Sequence, residues 1–153
     1  MATPTPKIGS LAKGKRGEFL VFGELLRRGA NLYLPVMDIG IDAIVRKKDG
    51  TYLEIQVKST QEENQAGWFN VDDIDQHKGA DLFIVCVDLS KEPPEVWIFP
   101  AEVFMEYANV SKLKGGWKRY TLGIDSKNVN HGYKMRRDIL KDEYLGAWHL
   151  LTG

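Results

Sequence analysis

One stretch of the sequence restricts the fold more than any other, the uninterrupted apolar run Leu82-Phe83-Ile84-Val85-Cys86-Val87. A run of this length without polar alternation is typical of a β-strand that is buried on both faces. We therefore expect a strand from Leu82 to Asp88 in the interior of a sheet. The run also contains the single cysteine, Cys86, which excludes an intramolecular disulfide and indicates a buried, unreactive thiol in a reducing compartment.

The patterns on either side of this run predict an α/β domain. An amphipathic helix is expected from Ser10 to Arg28, with Gly29 at its end. The pair Asp49-Gly50 predicts a tight turn between two antiparallel strands. The expected strands are Asn31 to Pro35, Ile41 to Val45, Tyr52 to Lys58, Glu95 to Phe99 and Trp117 to Leu122; further helices are expected over Val71 to His77, Ala101 to Tyr107 and Asp138 to Leu151, and a polar loop from Gln61 to Gly67. This order of elements favours a mixed β-sheet flanked by helices.

Length and composition set the domain organisation and the class of protein. With 153 residues, 43% of them hydrophobic and 27% charged, the chain is expected to form one globular domain over residues 10–153 after a flexible tail of residues 1–9. Neither a signal peptide nor a run long enough to span a bilayer is present in the sequence. We therefore expect a cytoplasmic protein without a membrane partner.

The charge balance limits how nucleic acid could be bound. The 21 basic and 21 acidic residues cancel, so no strong net field attracts a polyanion. A DNA partner would need local positive charge, and Lys13, Lys15 and Arg16 form one such cluster. The alternative is that these side chains are simply solvated.

The strand from Tyr52 to Lys58 carries a polar face that can take part in chemistry. Strict alternation places Glu54, Gln56 and Lys58 on one face and apolar side chains on the other. A strand with one hydrated face gives the same pattern. The predicted turn, however, also brings Asp42 alongside this strand. Phosphodiester hydrolysis needs a hard cation held by oxygen ligands and a positive charge near the phosphate, and these residues supply that minimum set.

Two sequence tracts resemble the PD-(D/E)xK nuclease superfamily, which includes restriction endonucleases, Holliday-junction resolvases and Mrr-like nucleases. Asp42 followed by Gln56-Val57-Lys58 is similar to the superfamily signature. The tract Lys13-Gly14-Lys15-Arg16-Gly17-Glu18 resembles the opening of the first helix of the resolvases. The resemblance extends from about Gly14 to Val87 and implies a restriction-endonuclease-like fold, with a mixed β-sheet flanked by helices.

The resemblance also implies roles for individual residues. Asp42 would be the principal metal ligand, and Glu18 would bind the metal directly or through water. The backbone carbonyl of Val57 would be a further ligand, and Lys58 would orient the attacking water or stabilise the phosphate in the transition state. Gln56 departs from the pattern, because this position is usually Asp or Glu; its amide carbonyl can still bind Mg²⁺, but the site has one negative charge fewer.

The resemblance implies a Mg²⁺-dependent DNA endonuclease, with Mn²⁺ as a substitute and Lys13, Lys15 and Arg16 as DNA contacts. A homodimer is expected by analogy with nucleases that cut two strands. The alternative left open by Gln56 is a catalytically degenerate fold that binds DNA or a protein. A third hypothesis is that the chain is a structural subunit and that the polar face of this strand is merely hydrated.

Several side chains near these tracts have open assignments. Glu54 lies two residues from Gln56, roughly 7 Å along a strand, so we expect it to support the ligands without touching the metal. Gln61 contacts DNA or a metal-bound water, or is solvated; Asp38 is a ligand or caps a turn; Trp68 stacks on an unpaired base or packs internally. The scattered His77, His131 and His149 predict no zinc site, and the absence of a phosphate-binding glycine motif predicts no nucleotide cofactor.

The apolar C-terminal stretch Leu145 to Leu151 also has two interpretations. It is either a contact between two copies of the chain or a segment that packs on its own sheet.

Overall fold

The computed structural model describes residues 9–37, 39–74 and 81–153. Within these ranges the helices are α1 (Ser10–Arg27), α2 (Ala101–Tyr107), α3 (Arg136–Tyr144) and α4 (His149–Thr152). The strands are β1 (Asn31–Tyr33), β2 (Ala43–Arg46), β3 (Tyr52–Thr60), β4 (Trp68–Asp72), β5 (Leu82–Asp88), β6 (Glu95–Pro100), β7 (Asn109–Lys112), β8 (Lys118–Gly123), β9 (Lys127–Asn128) and β10 (Lys134–Met135).

A five-stranded sheet with the order β1-β2-β3-β5-β6 forms the centre of the fold. Strands β3 and β5 are parallel, whereas the other neighbouring pairs are antiparallel. Every residue of β5 is buried, as the apolar run predicts. The α/β class with a mixed sheet is confirmed.

Both faces of this sheet are covered, and β5 contributes to both cores. On one face Val85 packs with Val21 and Leu25 of α1 and with Leu151 of α4. On the other face Ile84 packs against the second sheet, of order β4-β8-β7, and against α2 and α3; that core includes Phe69, Leu122, Phe104 and Leu140. Alternate residues of one buried strand therefore join two hydrophobic layers.

The antiparallel hairpin of β2 and β3 has the predicted turn. Ala43 pairs with Ile55 and Arg46 with Tyr52, and Gly50 has a φ of 88°, a conformation that glycine adopts without a steric penalty. Because β3 runs back from this turn, Asp42 and Lys58 lie at the same end of the hairpin, away from the turn.

The predicted helix over Val71 to His77 is wrong where the structure describes it. Val71 and Asp72 belong to β4, which pairs with β8. Burial alternates along this strand, with Phe69 and Val71 buried and Trp68, Asn70 and Asp72 exposed, so the period is that of a strand. Residues 75–80, which include His77, lie outside the described residues.

The C-terminal segment differs from the predicted single helix. Helix α3 ends at Tyr144, Leu145 forms an isolated bridge with Trp97, and Gly146 turns the chain with a φ of 62° before α4 begins. Trp148 and Leu151 are buried in the core of their own chain. The structure therefore shows the second interpretation of this stretch, in which it packs on the sheet of its own chain.

Two further predictions fall partly or wholly outside the described residues. Residues 1–8 of the expected flexible tail lie outside them, as does Asp38.

No helix in the described ranges has the length and apolar character needed to cross a membrane.

Candidate active site

Helix α1 approaches β3 closely at Gly17. A Cβ atom built on Gly17 would lie 1.7 Å from Oγ of Ser59 and 3.0 Å from its Cβ, so only glycine fits this contact. The next residue along α1, Glu18, is thereby placed beside the end of β3. Sequence reasoning missed this role, although a glycine in a helix interior, which costs about 1 kcal/mol relative to alanine, was the available signal.

Asp42 is fixed to β3 by two hydrogen bonds. Its backbone N–H donates to the carbonyl of Ile55 at 2.9 Å, and its Oδ2 accepts from the backbone N–H of Val57 at 2.6 Å. Since Ala43 pairs with Ile55, Asp42 lies across from Gln56, one step beyond the last registered pair. The principal candidate ligand is therefore held rigidly by main-chain atoms.

The Glu18 carboxyl lies beside that of Asp42 and acts on it through hydrogen bonding and charge. Burial, opposed by the Val57 N–H and reinforced by the Glu18 carboxyl, raises the pKa of Asp42 from 3.8 to about 6; the positive charge of Lys58 acts in the opposite direction. The Glu18 side chain is 13% exposed, and Nζ of Lys15 lies 3.2 Å from its Oε2. Two partly buried carboxylates this close repel each other, and a cation between them would relieve the repulsion.

A cleft of about 600 Å³ opens above this carboxylate pair. Glu18, Asp42, Val57 and Lys58 line it together, and apolar side chains form its rim. Among the rim residues, Phe19 is 67% and Met37 is 73% exposed. Four of the predicted catalytic and metal-binding residues thus share one cavity, and Lys15, a predicted DNA contact, lines it as well.

Gln56 has a different environment from the other predicted ligands. It is buried, with 9% of its surface exposed, and it is not among the residues that line the cleft. In the described part of the chain, no group of three or more His, Cys, Asp and Glu side chains converges as a metal site. Among the described residues, the donors at this end of the hairpin are therefore two carboxylates together with neutral main-chain and amide oxygens.

Glu54 and Gln61 each have an oxygen atom that is buried without a hydrogen-bond partner, Oε2 of Glu54 and Oε1 of Gln61. Glu54 lines a separate cavity of about 540 Å³ with Tyr33, Tyr52 and Asp81. This location agrees with the expectation that Glu54 is too far along the strand to share a metal with Asp42. The supporting role of Glu54 and the contact proposed for Gln61 remain predictions.

The basic residues predicted to contact DNA are partly engaged within the chain. Lys13 forms an ion pair with Glu62, which ties the start of α1 to the segment after β3, and Lys15 pairs with Glu18. Arg16 is exposed. Their role in DNA binding stays a prediction.

An ion pair that the sequence analysis missed lies near Lys58. Arg119 of β8 donates to both carboxylate oxygens of Asp72 in β4, at 2.7 and 3.0 Å. The Arg119 hydrogen bonds, and more weakly the charge of Lys58, lower the pKa of Asp72. The β4–β8 pairing therefore brings the ion pair of Arg119 and Asp72 within electrostatic range of Lys58.

Trp68, the predicted stacking residue, lies in β4 and is 46% exposed. Its ring covers Gly123, where an added Cβ would meet the indole at 2.7 Å. The side chain therefore combines internal packing with one open region.

Comparison with solved structures identifies the fold. The chain is similar to a bacterial homing endonuclease, with a TM-score of 0.60 and 22% sequence identity over 93% of this chain and 90% of that one. It also matches a Holliday junction resolvase from Archaeoglobus fulgidus, with a TM-score of 0.47 and 17% identity over 72% of this chain and 84% of that one. No protein-family model matches the sequence, and neither does any curated protein. The chain thus shares its fold with the homing endonuclease, and the mixed β-sheet flanked by helices that the resemblance implies is confirmed.

Proposed function

We propose that this chain is a Mg²⁺-dependent DNA endonuclease whose active site is the cleft lined by Glu18, Asp42, Val57 and Lys58. The observation that carries the proposal is the close approach of the Glu18 and Asp42 carboxyl groups beside Lys58. The homing endonuclease with the same fold acts, by its name, as an endonuclease. Two carboxylates and a lysine in one cleft are suited to phosphodiester hydrolysis.

The residues at this cleft fit a hard divalent cation. Glu18 and Asp42 would hold it together with the backbone carbonyl of Val57, so that every donor is oxygen. Gln56, the remaining predicted ligand, is buried and does not line the cleft, so its amide would join the ligands only if the side chain turned towards the cleft. When bound, Mg²⁺ supplies Lewis-acid polarisation of the phosphate and lowers the pKa of a bound water. The raised pKa of Asp42 agrees with this assignment, because a cation between the carboxylates removes the repulsion.

Lys58 would act on the phosphate. Its side chain lines the same cleft as Asp42 and is only partly exposed. A fixed positive charge that faces the scissile phosphate stabilises the negative charge that develops during attack by water. The hydrogen bond from the Val57 N–H fixes the orientation of the Asp42 carboxylate in the cleft.

A second candidate function is favoured by Gln56. An amide at a position that the superfamily usually fills with a carboxylate leaves the cleft one charge short, and the chain has no net charge. A degenerate nuclease fold would bind DNA without cleaving it. Such a protein would show no Mn²⁺ binding in the millimolar range or below by titration calorimetry.

Cleavage by purified protein tests the proposal. Supercoiled plasmid, single strands and four-way junctions are incubated with Mn²⁺ and either wild type, Asp42→Asn or Lys58→Met. Lys48→Gln is the matched control, because Lys48 is exposed in the turn at the opposite end of the hairpin. We expect wild type and Lys48→Gln to cut at the same rate and the two site variants to be inactive. Equal cleavage by wild type and Asp42→Asn would refute the assignment.

We further propose that two copies act together, since cutting both strands of a duplex requires two active sites. Sedimentation velocity of the chain with a DNA duplex should give a complex that contains two copies per duplex. A complex with one copy would instead indicate a nicking enzyme.

A further inference from the structure

A basic hairpin lies outside the candidate active site. It comprises β7, β8 and their connecting turn, residues 109–123, and we refer to it as the β7–β8 hairpin. Its segment from Ser111 to Arg119 carries four basic side chains and no acidic one, in a chain whose net charge is zero. The basic residues are Lys112, Lys114, Lys118 and Arg119. A local concentration of one sign of charge is the electrostatic feature expected of a surface that binds phosphates.

The geometry of the turn holds an aromatic ring among these lysines. The N–H of Leu113 donates to the carbonyl of Trp117 at 2.7 Å, and Gly115 and Gly116 have φ values of 81° and 82°. A Cβ added to Gly115 would lie 3.1 Å from two atoms of the Trp117 indole. The indole thus packs over the glycine turn while 46% of the residue remains exposed.

The turn of this hairpin lies beyond the last registered pair of its strands. That pair is Lys112 and Lys118, and the chain of β4 reaches it, because the N–H of Asp73 donates to the carbonyl of Lys118. All four residues of β7 are exposed, and β7 is an edge strand. Lys112 and Lys114 therefore lie on the exposed edge strand and turn of the hairpin, where a DNA backbone can approach them.

The turn end of the hairpin is linked to the candidate active site through Asp72. Arg119, one step from the last pair before the turn, forms the two-point ion pair with Asp72, and Asp72 in turn lies within the electrostatic influence of Lys58. A duplex held by the turn end of the hairpin would therefore pass near the cleft that Lys58 lines. In the cluster Lys13, Lys15 and Arg16, two members are paired with carboxylates.

We propose that the β7–β8 hairpin binds the phosphate backbone of a DNA duplex through Lys112 and Lys114, with the open face of Trp117 packed against a sugar or base. This inference rests on the proposed function, because the duplex is taken to be the substrate. It adds a binding surface that is separate in sequence from the cleft. Lysine contacts supply sequence-independent affinity that depends on salt, and the indole supplies affinity that does not.

The test is the salt dependence of binding. A fluorescently labelled DNA duplex is titrated with the full chain in EDTA at several NaCl concentrations, and binding is followed by anisotropy. Lys112→Gln/Lys114→Gln is compared with Lys48→Gln/Lys141→Gln, which removes the same charge from exposed positions elsewhere. Each lost phosphate contact should reduce the slope of log K against log[salt] by about 0.9. We expect a reduction of about 2 for the hairpin variant and none for the control.

Trp117→Ala separates the two contributions. It should weaken binding roughly fivefold, through the loss of apolar surface burial, while the salt slope stays the same. Circular dichroism and thermal melting of each variant check that the fold is retained.

Several outcomes would overturn the inference. They are equal slopes for the two double variants, no duplex binding by wild type, or lysine-dependent binding to phosphatidylserine vesicles without binding to DNA. Asp42→Asn is titrated in parallel, because it removes cleavage and leaves the hairpin intact. If binding depends on the hairpin lysines but the wild type cleaves no DNA, the proposed nuclease activity is refuted and the binding surface is supported. If the wild type cleaves DNA but the salt slopes of the two double variants are equal, the binding surface is refuted and the nuclease activity is supported.

Discussion

The backbone N–H of Val57 donates a hydrogen bond of 2.6 Å to Oδ2 of Asp42. This bond favours the charged form of Asp42, but burial and the neighbouring Glu18 carboxyl outweigh it and raise the pKa of Asp42 to about 6. At neutral pH the charged form of Asp42 is therefore less stable in the folded chain than in the unfolded chain. Sites that bind cations commonly carry such a local cost, which the ligand removes.

Asp42→Asn should stabilise the metal-free protein at pH 8. The folded-state pKa of Asp42, about 6, lies above its ordinary value of 3.8. The stability contributed by protonated Asp42 is thus fully present below about pH 3.8 and lost as the pH rises through 6. Asparagine keeps an acceptor for the Val57 N–H and carries no charge. We expect a gain of about 1 kcal/mol in the free energy of unfolding at pH 8, after allowance for solvent screening, and a smaller gain at pH 5.

Urea unfolding at the two pH values measures this difference. Asp125→Asn is the control, since the Arg137 hydrogen bond lowers the pKa of Asp125 and its substitution should destabilise the protein instead. A loss of stability in Asp42→Asn at pH 8 would contradict the argument.

Metal affinity should depend on pH through the same group. Binding of a cation to Asp42 requires the deprotonated carboxyl, so the affinity for Mn²⁺ should fall about tenfold per pH unit below pH 6. Because Glu18 raises the pKa of Asp42, Glu18→Gln should move this midpoint to lower pH while weakening the affinity at pH 8. Titration calorimetry in buffers of different ionisation enthalpy detects the released proton. An affinity that is constant between pH 5 and 8 would exclude Asp42 as a ligand.

The parts of the fold that were predicted correctly have local signals. The apolar run of β5, the Asp49-Gly50 turn and the alternation of β3 each encode one element within a few residues. The same alternation and turn were enough to bring Asp42 and Lys58 to one end of a hairpin. No contact between distant segments was needed for these inferences.

The parts that were missed depend on contacts between distant segments. The four exposed residues of β7 give no hydrophobic period, because this strand has no buried face. The ion pair of Asp72 and Arg119 joins residues 47 positions apart, and it exists only once β4 pairs with β8. The contact between Gly17 and Ser59 is likewise invisible until α1 lies on β3.

Gly17→Ala should destabilise the protein, although alanine is the better helix former. The new Cβ would lie 1.7 Å from Oγ and 3.0 Å from Cβ of Ser59. Rotation of the Ser59 hydroxyl relieves the first contact, but the second requires α1 to shift away from β3, and overpacking of this kind costs about 1–3 kcal/mol. The shift would also carry Glu18 away from Asp42. We therefore expect weaker Mn²⁺ binding together with a lower melting temperature.

Gly23→Ala is the matched control for this substitution. Gly23 lies in the same helix, and an added Cβ there would meet no atom within 4 Å, so we expect a gain of up to about 1 kcal/mol. In the double variant Gly17→Ala/Ser59→Gly the clashing side chain is gone, and a double-mutant cycle should show a favourable coupling. Additive effects of the two substitutions would show that the helix is not held at this contact.

Gln56→Glu tests whether the amide belongs to the ligand set. Gln56 is buried and lies across from Asp42, one step beyond the registered pair of Ala43 and Ile55. A third carboxylate there should lower the stability of the metal-free protein at pH 8 by about 1–3 kcal/mol, because a buried charge gains no partner. If residue 56 faces the cation, Mn²⁺ should reverse this loss of stability, and it should bind to Gln56→Glu more tightly than to the wild type. Glu54→Gln is the control, since Glu54 lines the other cavity and its effect on melting should be the same with and without Mn²⁺. Destabilisation of Gln56→Glu that Mn²⁺ leaves unchanged would remove Gln56 from the site and leave Glu18, Asp42 and main-chain oxygens as its ligands.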